Sequence, residues 1–153
     1  MKEKDFDRKI KELFEPKAES MGFCCAGGRG CTYYRKINEE LFHFISFDIK
    51  RNNKEFEVHV FPGTPRLGQE QWKEFPDFIG IPTGRAAGLN AKSGIGEGAS
   101  KFSCKSEQVL ESVLLKIVIP ALEYYANDYL SKFTTLSDII PVLEHQQWAS
   151  LLK

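Results

Sequence analysis

Glycine is missing from three long stretches of this 153-residue chain: residues 1–21, 31–62 and 99–153 contain none. All twelve glycines fall between Gly22 and Gly30 or between Gly63 and Gly98. Glycine loses the most backbone freedom on ordering, so helices and strands disfavour it. Its absence marks ordered elements, and its two windows mark loops, where functional groups concentrate on a rigid scaffold. Net charge is missing too. The 21 Lys and Arg residues balance 21 Asp and Glu, which argues against the broad basic footprint of a nucleic-acid binder. There is no long apolar run. The most apolar segment, residues 113–122, carries Lys116 and is too short to cross a bilayer. Residues 1–15 are densely charged and lack the apolar centre of a secretory signal. A cytoplasmic location, with the four cysteines as thiols, is therefore expected.

What is present reads as one domain over residues 1–153. Phe6, Ile10, Leu13, Phe14 and Met21 recur at helical spacing, which predicts a helix over 3–21. Pro16 is expected to kink it or split off its last turn. Gly22 followed by Phe23 reads as its stop. Residues 32–37, 41–49 and 55–61 are rich in β-branched and aromatic side chains and predict strands. A two-residue turn at Asn52-Asn53 would set Ile49, Phe47 and Ile45 opposite Phe56, Val58 and Val60. One face is then wholly apolar. The other sets Phe44 opposite Phe61, Ser46 opposite His59 and Asp48 opposite Glu57. A slip of one residue would mix the two sets.

Residues 62–104 hold four prolines and eight glycines and read as irregular. A short helix at 69–75 and short strands at 77–81 and 99–104 are expected within them. Ser106 is a good N-cap for a helix over 107–131. Its buried stripe would be Val109, Leu110, Val113, Leu114 and Ile117, and Pro120 would bend it. Residues 135–138 resemble a capping box before a terminal helix or helix pair. The fold class expected is α+β. It comprises an antiparallel β-meander of three to five strands, with N-terminal and C-terminal helices packed on one face.

No motif assigns chemistry. Cys24, Cys25, Cys31 and Cys104 lack the paired spacing of a zinc site, so no metal is expected. A reactive thiol near Arg29 is the better-supported reading, since positive charge lowers a thiol pKa. His43 reads as structural and His145 as exposed. His59 faces away from the core beside Ser46, with Asp48 on the same face. Two side chains opposed on a flat hairpin, with no oxyanion hole in view, make a poor catalytic triad. Residues 86–93 (AAGLNAKS) echo a phosphate loop, but both diagnostic glycines are alanine and no helix start follows. Gly94, Gly96 and Gly98 make no dinucleotide fingerprint for the same want of a helix. No cofactor and no catalytic residue is therefore expected.

Positive charge follows glycine. Arg29, Arg35, Arg66 and Arg85 all lie in or beside the two glycine windows. Arginine suits bidentate recognition of carboxylate or phosphate. Phe42, Phe44 and Phe61 should share the second sheet face with Tyr33 or Tyr34. The long loop, with Trp72, Phe75 and Phe78, would partly cover that face and leave a groove. Candidate ligand-binding residues are thus Arg35, His59, Arg66, Arg85, Phe44 and Phe61.

The order of features resembles a known family. A first helix ends in Met21-Gly22-Phe23, and a basic glycine stretch leads to Thr32-Tyr33-Tyr34-Arg35. Phe44-Ile45-Ser46-Phe47-Asp48 and Phe56-Glu57-Val58-His59-Val60 follow. Then come Arg66-Leu67-Gly68, Trp72 and a late helix bearing Ile119-Pro120. Over most of its length the chain resembles the bacterial domain-of-unknown-function family DUF4304. The resemblance implies an α+β fold with an antiparallel sheet, and it supplies no reaction. Immunity proteins of toxin systems offer an analogy among small bacterial α+β families. The functional expectation is a non-catalytic binding protein, an immunity-type or regulatory module, whose partner is a protein or a second copy. The alternative is a small-molecule binder or enzyme for an anionic ligand, held by Arg35, Arg66 and Arg85, with His59 as acid or base.

Overall fold

The computed structural model describes residues 1–26, 31–66, 81–82 and 87–142. Helix α1 (Glu3–Ser20) leads into strands β1 (Cys24–Cys25), β2 (Cys31–Asn38), β3 (Leu41–Ile49) and β4 (Glu55–Thr64). Short strands β5 (Ile81–Pro82), β6 (Ala87–Asn90), β7 (Gly94–Gly96) and β8 (Phe102–Ser103) follow. Helix α2 (Glu107–Val113), a π-helical turn (Leu114–Val118) and α3 (Ile119–Leu130) then succeed one another without a break. Helix α4 (Leu136–Ile139) and a 3-10 turn (Ile140–Val142) come last among the described residues. The strands form one antiparallel sheet in the order β1-β2-β3-β4-β6-β7, with β5 and β8 also paired to β4. The architecture is α+β, and its sheet has more strands than the three to five expected. The extra ones are two to four residues long and so leave little periodic signal.

Pro16 lies inside α1 without dividing it, and the helix runs on to Ser20. It ends as Gly22 requires. Gly22 adopts a φ of +87°. Its amide donates to Glu19 O (3.0 Å), and the Phe23 amide donates to Ala18 O (2.8 Å). This pair of bonds is the Schellman arrangement, and it folds Phe23 back into the core.

The β3–β4 register is the expected one throughout, from Phe44 opposite Phe61 to Ile49 opposite Phe56. The turn differs. A type I′ two-residue turn needs positive φ at both central residues, and only Asn53 has it (57°). The chain instead makes a wider loop over 51–54, closed by the Asn53 amide on Lys50 O at 2.9 Å. Asn52 Oδ1 accepts from the amides of Lys54 (2.9 Å) and Glu55 (3.3 Å). Widening from two residues to four leaves the parity of the pairing unchanged, so the faces stay as expected. Asparagine shapes two further turns in the same way. Asn38 Oδ1 accepts from Glu40, and Asn90 Oδ1 accepts from Lys92 and Ser93. The second of these makes residues 87–96 a β-hairpin, which is why no phosphate loop forms there.

The apolar sheet face packs beneath the helices. Phe6, Ile10, Phe14 and Ala18 of α1 meet Tyr33, Ile45, Phe47, Phe56, Val58 and Val60. Leu110, Leu114, Val118, Leu122, Ala126 and Leu130 complete the cover. Their spacing of four corrects the expected stripe, because Ile117 is 42% exposed and Val109 37%. Pro120 supplies the reason. It has no N–H for the carbonyl of Lys116 and its ring crowds that turn. Ahead of it the Ile119 amide reaches back five residues to Leu114 O, inserting a residue and re-phasing the helix. The capping box at Thr135 forms as expected. The Thr134 and Thr135 amides both donate to Asp138 Oδ2 at 2.9 Å and hold that carboxyl below its ordinary pKa.

Candidate functional site

Directly opposed residues in a ladder share a face, so the register sorts the candidate residues at once. His59 pairs with Ser46, Phe61 with Phe44, and Tyr34 also with Phe44, which puts all of them on the outer face, away from the helices. Tyr33 pairs with Ile45 and belongs to the core, which resolves the choice between the two tyrosines. Arg35 pairs with His43 and therefore faces the helical side, opposite His59.

Arg35 and His43 build a junction between sheet and helices. Arg35 donates to Met21 O (3.0 Å) and to Asn127 Oδ1 (2.9 Å), and its guanidinium lies 4.5 Å over the Phe23 ring. Its second terminal nitrogen stands 3.0 Å from His43 Nδ1. A guanidinium only donates, so Nδ1 accepts and the proton sits on Nε2, which donates to Phe133 O at 2.8 Å. Burial pushes the His43 pKa down to about 4 and the Arg35 charge pushes the same way, against the opposing pull of the Phe133 carbonyl. Arg35 thus clamps secondary structure, and His43 is the structural histidine that was expected.

Arg66 lies just past β4, exposed, with its guanidinium 3.4 Å from Glu40 Oε1 in the β2–β3 turn. Arg85, Arg29, His145, Trp72, Phe75, Phe78 and the helix expected at 69–75 lie outside the described residues. So do residues 77–80 of one expected strand, and residues 143–153. Phe42, Phe44 and Phe61 are buried together, with Phe44 and Phe61 stacked at 5.1 Å. They form a second small core and not an open aromatic patch.

The open part of the outer face is polar and continuous. Thr32 Oγ1 is 3.2 Å from Ser46 Oγ, and Ser46 donates to Asp48 Oδ1 at 3.3 Å. Asp48 Oδ2 meets His59 Nδ1 at 2.6 Å. His59 Nε2 faces Glu57 Oε2 at 3.3 Å, and Glu57 Oε1 accepts from Lys50 Nζ at 2.9 Å. Both ring nitrogens of His59 therefore face carboxylates, and Ser46 bonds to Asp48 instead of to the imidazole. A Ser–His–Asp relay needs the serine on the ring nitrogen that Glu57 occupies. Glu55 shares this face two residues from Glu57. Asp48, Glu55 and Glu57 thus line this end of the hairpin, with Lys50 on Glu57 and the exposed Arg51 and Lys54 in the adjoining turn. Gly88 borders the row, opposite His59. A Cβ on it would lie 2.4 Å from Ala99 Cβ and 2.6 Å from Ala99 Cα, so glycine is required where the chain crosses. Nothing in the sequence marks that crossing.

Two further features complete the surface. Cys24 and Cys25 are exposed, whereas Cys31 and Cys104 are buried. Burial raises the Cys31 thiol far above its ordinary pKa, and the Asp7 carboxylate, 3.1 Å from Sγ, adds to it. Burial also raises the Cys104 thiol. The reactive-thiol expectation is thus confined to the two exposed residues. On the helical side, Lys116, Ile117, Pro120, Ala121, Tyr124, Tyr125 and Ala91 line an open cavity of about 430 Å³. Re-phasing at the π-helical turn is what leaves Leu115, Ile117 and Tyr124 outward. Among the described residues no group of His, Cys, Asp and Glu is arranged to hold a metal ion. No helix among them is long and apolar enough to cross a membrane. No protein-family model, curated protein or solved structure matches the chain.

Proposed function

We propose that this chain is a non-catalytic binding protein, of the immunity-type or regulatory kind, whose partner presents basic groups to the outer face of the β3–β4 hairpin. The observation that carries this reading is His59 held between Asp48 and Glu57, with Glu55 on the same face. The imidazole has no free nitrogen to serve as a base, and Ser46 is spent on Asp48. What the row offers is hydrogen-bonded carboxylates at fixed places on the sheet, bordered by the cations of the turn. Such charge steers and orients a basic partner more than it supplies raw affinity. The alternative, an anionic ligand held by Arg35, Arg66 and Arg85 beside His59, has less support. Arg35 points to the opposite side of the sheet, and two carboxylates flank His59.

Native capture with the wild-type chain and with Asp48→Lys/Glu57→Lys, each followed by mass spectrometry, tests the proposal. The expected result is a protein retained by the wild type, released by moderate salt and lost with the charge-reversed variant. Recovery of no protein, together with a thermal shift from a small anion, contradicts it.

A further inference from the structure

We propose that Cys25 and Cys31 form an oxidisable pair, a modification site that a hydroperoxide converts to a disulfide at the edge of the sheet. Cys25 pairs with Tyr33 in the β1–β2 ladder, and Cys31 lies two residues before Tyr33 on β2. Residues two apart on a strand share a face, so Cys25 and Cys31 are diagonal neighbours on the helical side. Diagonal neighbours stand about 7–8 Å apart, and a disulfide joins Cα atoms up to about 7 Å apart. A shift of about 1 Å closes the gap. The shift falls to Cys25, in a two-residue strand at the sheet edge whose pairing continues at the Ala26 amide on Thr32 O (2.8 Å).

Their environments divide the work. Cys25 is exposed and meets the oxidant; Cys31 is buried and does not. The Cys25 thiolate attacks one peroxide oxygen. The O–O bond breaks, Cys25 becomes a sulfenic acid, and the other oxygen leaves as an alcohol or water. The Cys31 sulfur then attacks the sulfenic sulfur. The S–S bond forms, the S–O bond breaks, and the departing hydroxide takes up a proton to leave as water. That proton comes from Cys31 by way of Asp7 Oδ1, 3.1 Å from Sγ. In sum two thiols and one hydroperoxide give one disulfide, one alcohol or water, and one further water. Cys31 is too poor a thiolate to react with oxidant from solution, so it acts only on a sulfur brought beside it. Cys24 is also exposed but pairs with Tyr34 on the opposite face, and so provides an internal control.

Peptide mapping tests this on the whole chain. The folded protein is treated with a few equivalents of hydrogen peroxide, blocked with N-ethylmaleimide and digested with trypsin. Cleavage after Lys17, Arg29 and Arg35 separates Cys24 and Cys25 from Cys31. The expected product, from chain that migrates as a monomer, is peptide 18–29 with one N-ethylmaleimide on Cys24 joined to 30–35, two hydrogens lighter than the sum of those two and parted by dithiothreitol. The link should persist in Cys24→Ser and vanish in Cys25→Ser. A Cys25 sulfinic acid beside an unlinked Cys31, a link that survives Cys25→Ser, or a purely intermolecular link overturns the proposal.

Discussion

His43 makes stability depend on pH between its unfolded and folded pKa values. Its ring is 3% exposed, accepts from Arg35 at Nδ1 and donates to Phe133 O from Nε2. A second proton would set N–H against N–H beside a guanidinium. Its pKa falls accordingly from 6.5 to about 4. The sign follows from proton counting. Between those values the unfolded chain binds a proton that the folded protein refuses, so acid favours unfolding. The contribution is fully present above pH 6.5 and lost as pH falls towards 4. From pH 7 to pH 5 the linkage relation gives a loss of about 2 kcal/mol. Urea unfolding at both pH values, for wild type and His43→Gln, isolates it. The amide keeps the polar contacts without titrating, and the carboxylates common to both proteins cancel. The wild type should lose about 2 kcal/mol more than the variant on acidification. Equal losses would refute the assignment of a neutral, buried His43.

Gly88→Ala should destabilise by about 3 kcal/mol, as overpacking against backbone does, while Gly96→Ala, with nothing within 4 Å of its Cβ, should be near neutral; thermal melts compare them. Gly22→Ala should cost about 1–2 kcal/mol because its φ is left-handed, read as a lower urea midpoint at an unchanged slope. Brief iodoacetamide treatment should label Cys24 and Cys25 alone, with Cys31 and Cys104 labelled only in denaturant.

How much of this was legible in the sequence depended on the range of the signal. The β3–β4 hairpin was readable because alternation over nine and ten residues allows one register, and even a wrong turn type of the right parity preserves it. The stop at Gly22 and the caps at Ser106 and Thr135 were readable because each is local chemistry. The re-phased helix was not: Pro120 announced a disturbance, but whether it yields a bend or an inserted residue is decided by packing at Val118 and Leu122. Counting charges near glycines groups Arg35 with His59, but strand parity puts the two on opposite faces of the sheet. The alternation that placed His59 outward places Arg35 inward once Thr32 is set against Ser46. The meaning of His59 itself rested on Glu57, whose carboxylate takes the nitrogen a catalytic serine would need. Composition cannot show which of two neighbours a ring nitrogen meets.

In the proposed function the carboxylate row of the β3–β4 hairpin meets a basic partner. Carbodiimide footprinting of carboxyl groups, in the free chain and in its captured complex, reads that row directly. Asp48, Glu55 and Glu57 are expected to lose labelling on binding, while Glu107 and Glu111 on the helical side keep theirs. Unchanged labelling of the three hairpin carboxylates, with protection elsewhere, would contradict it.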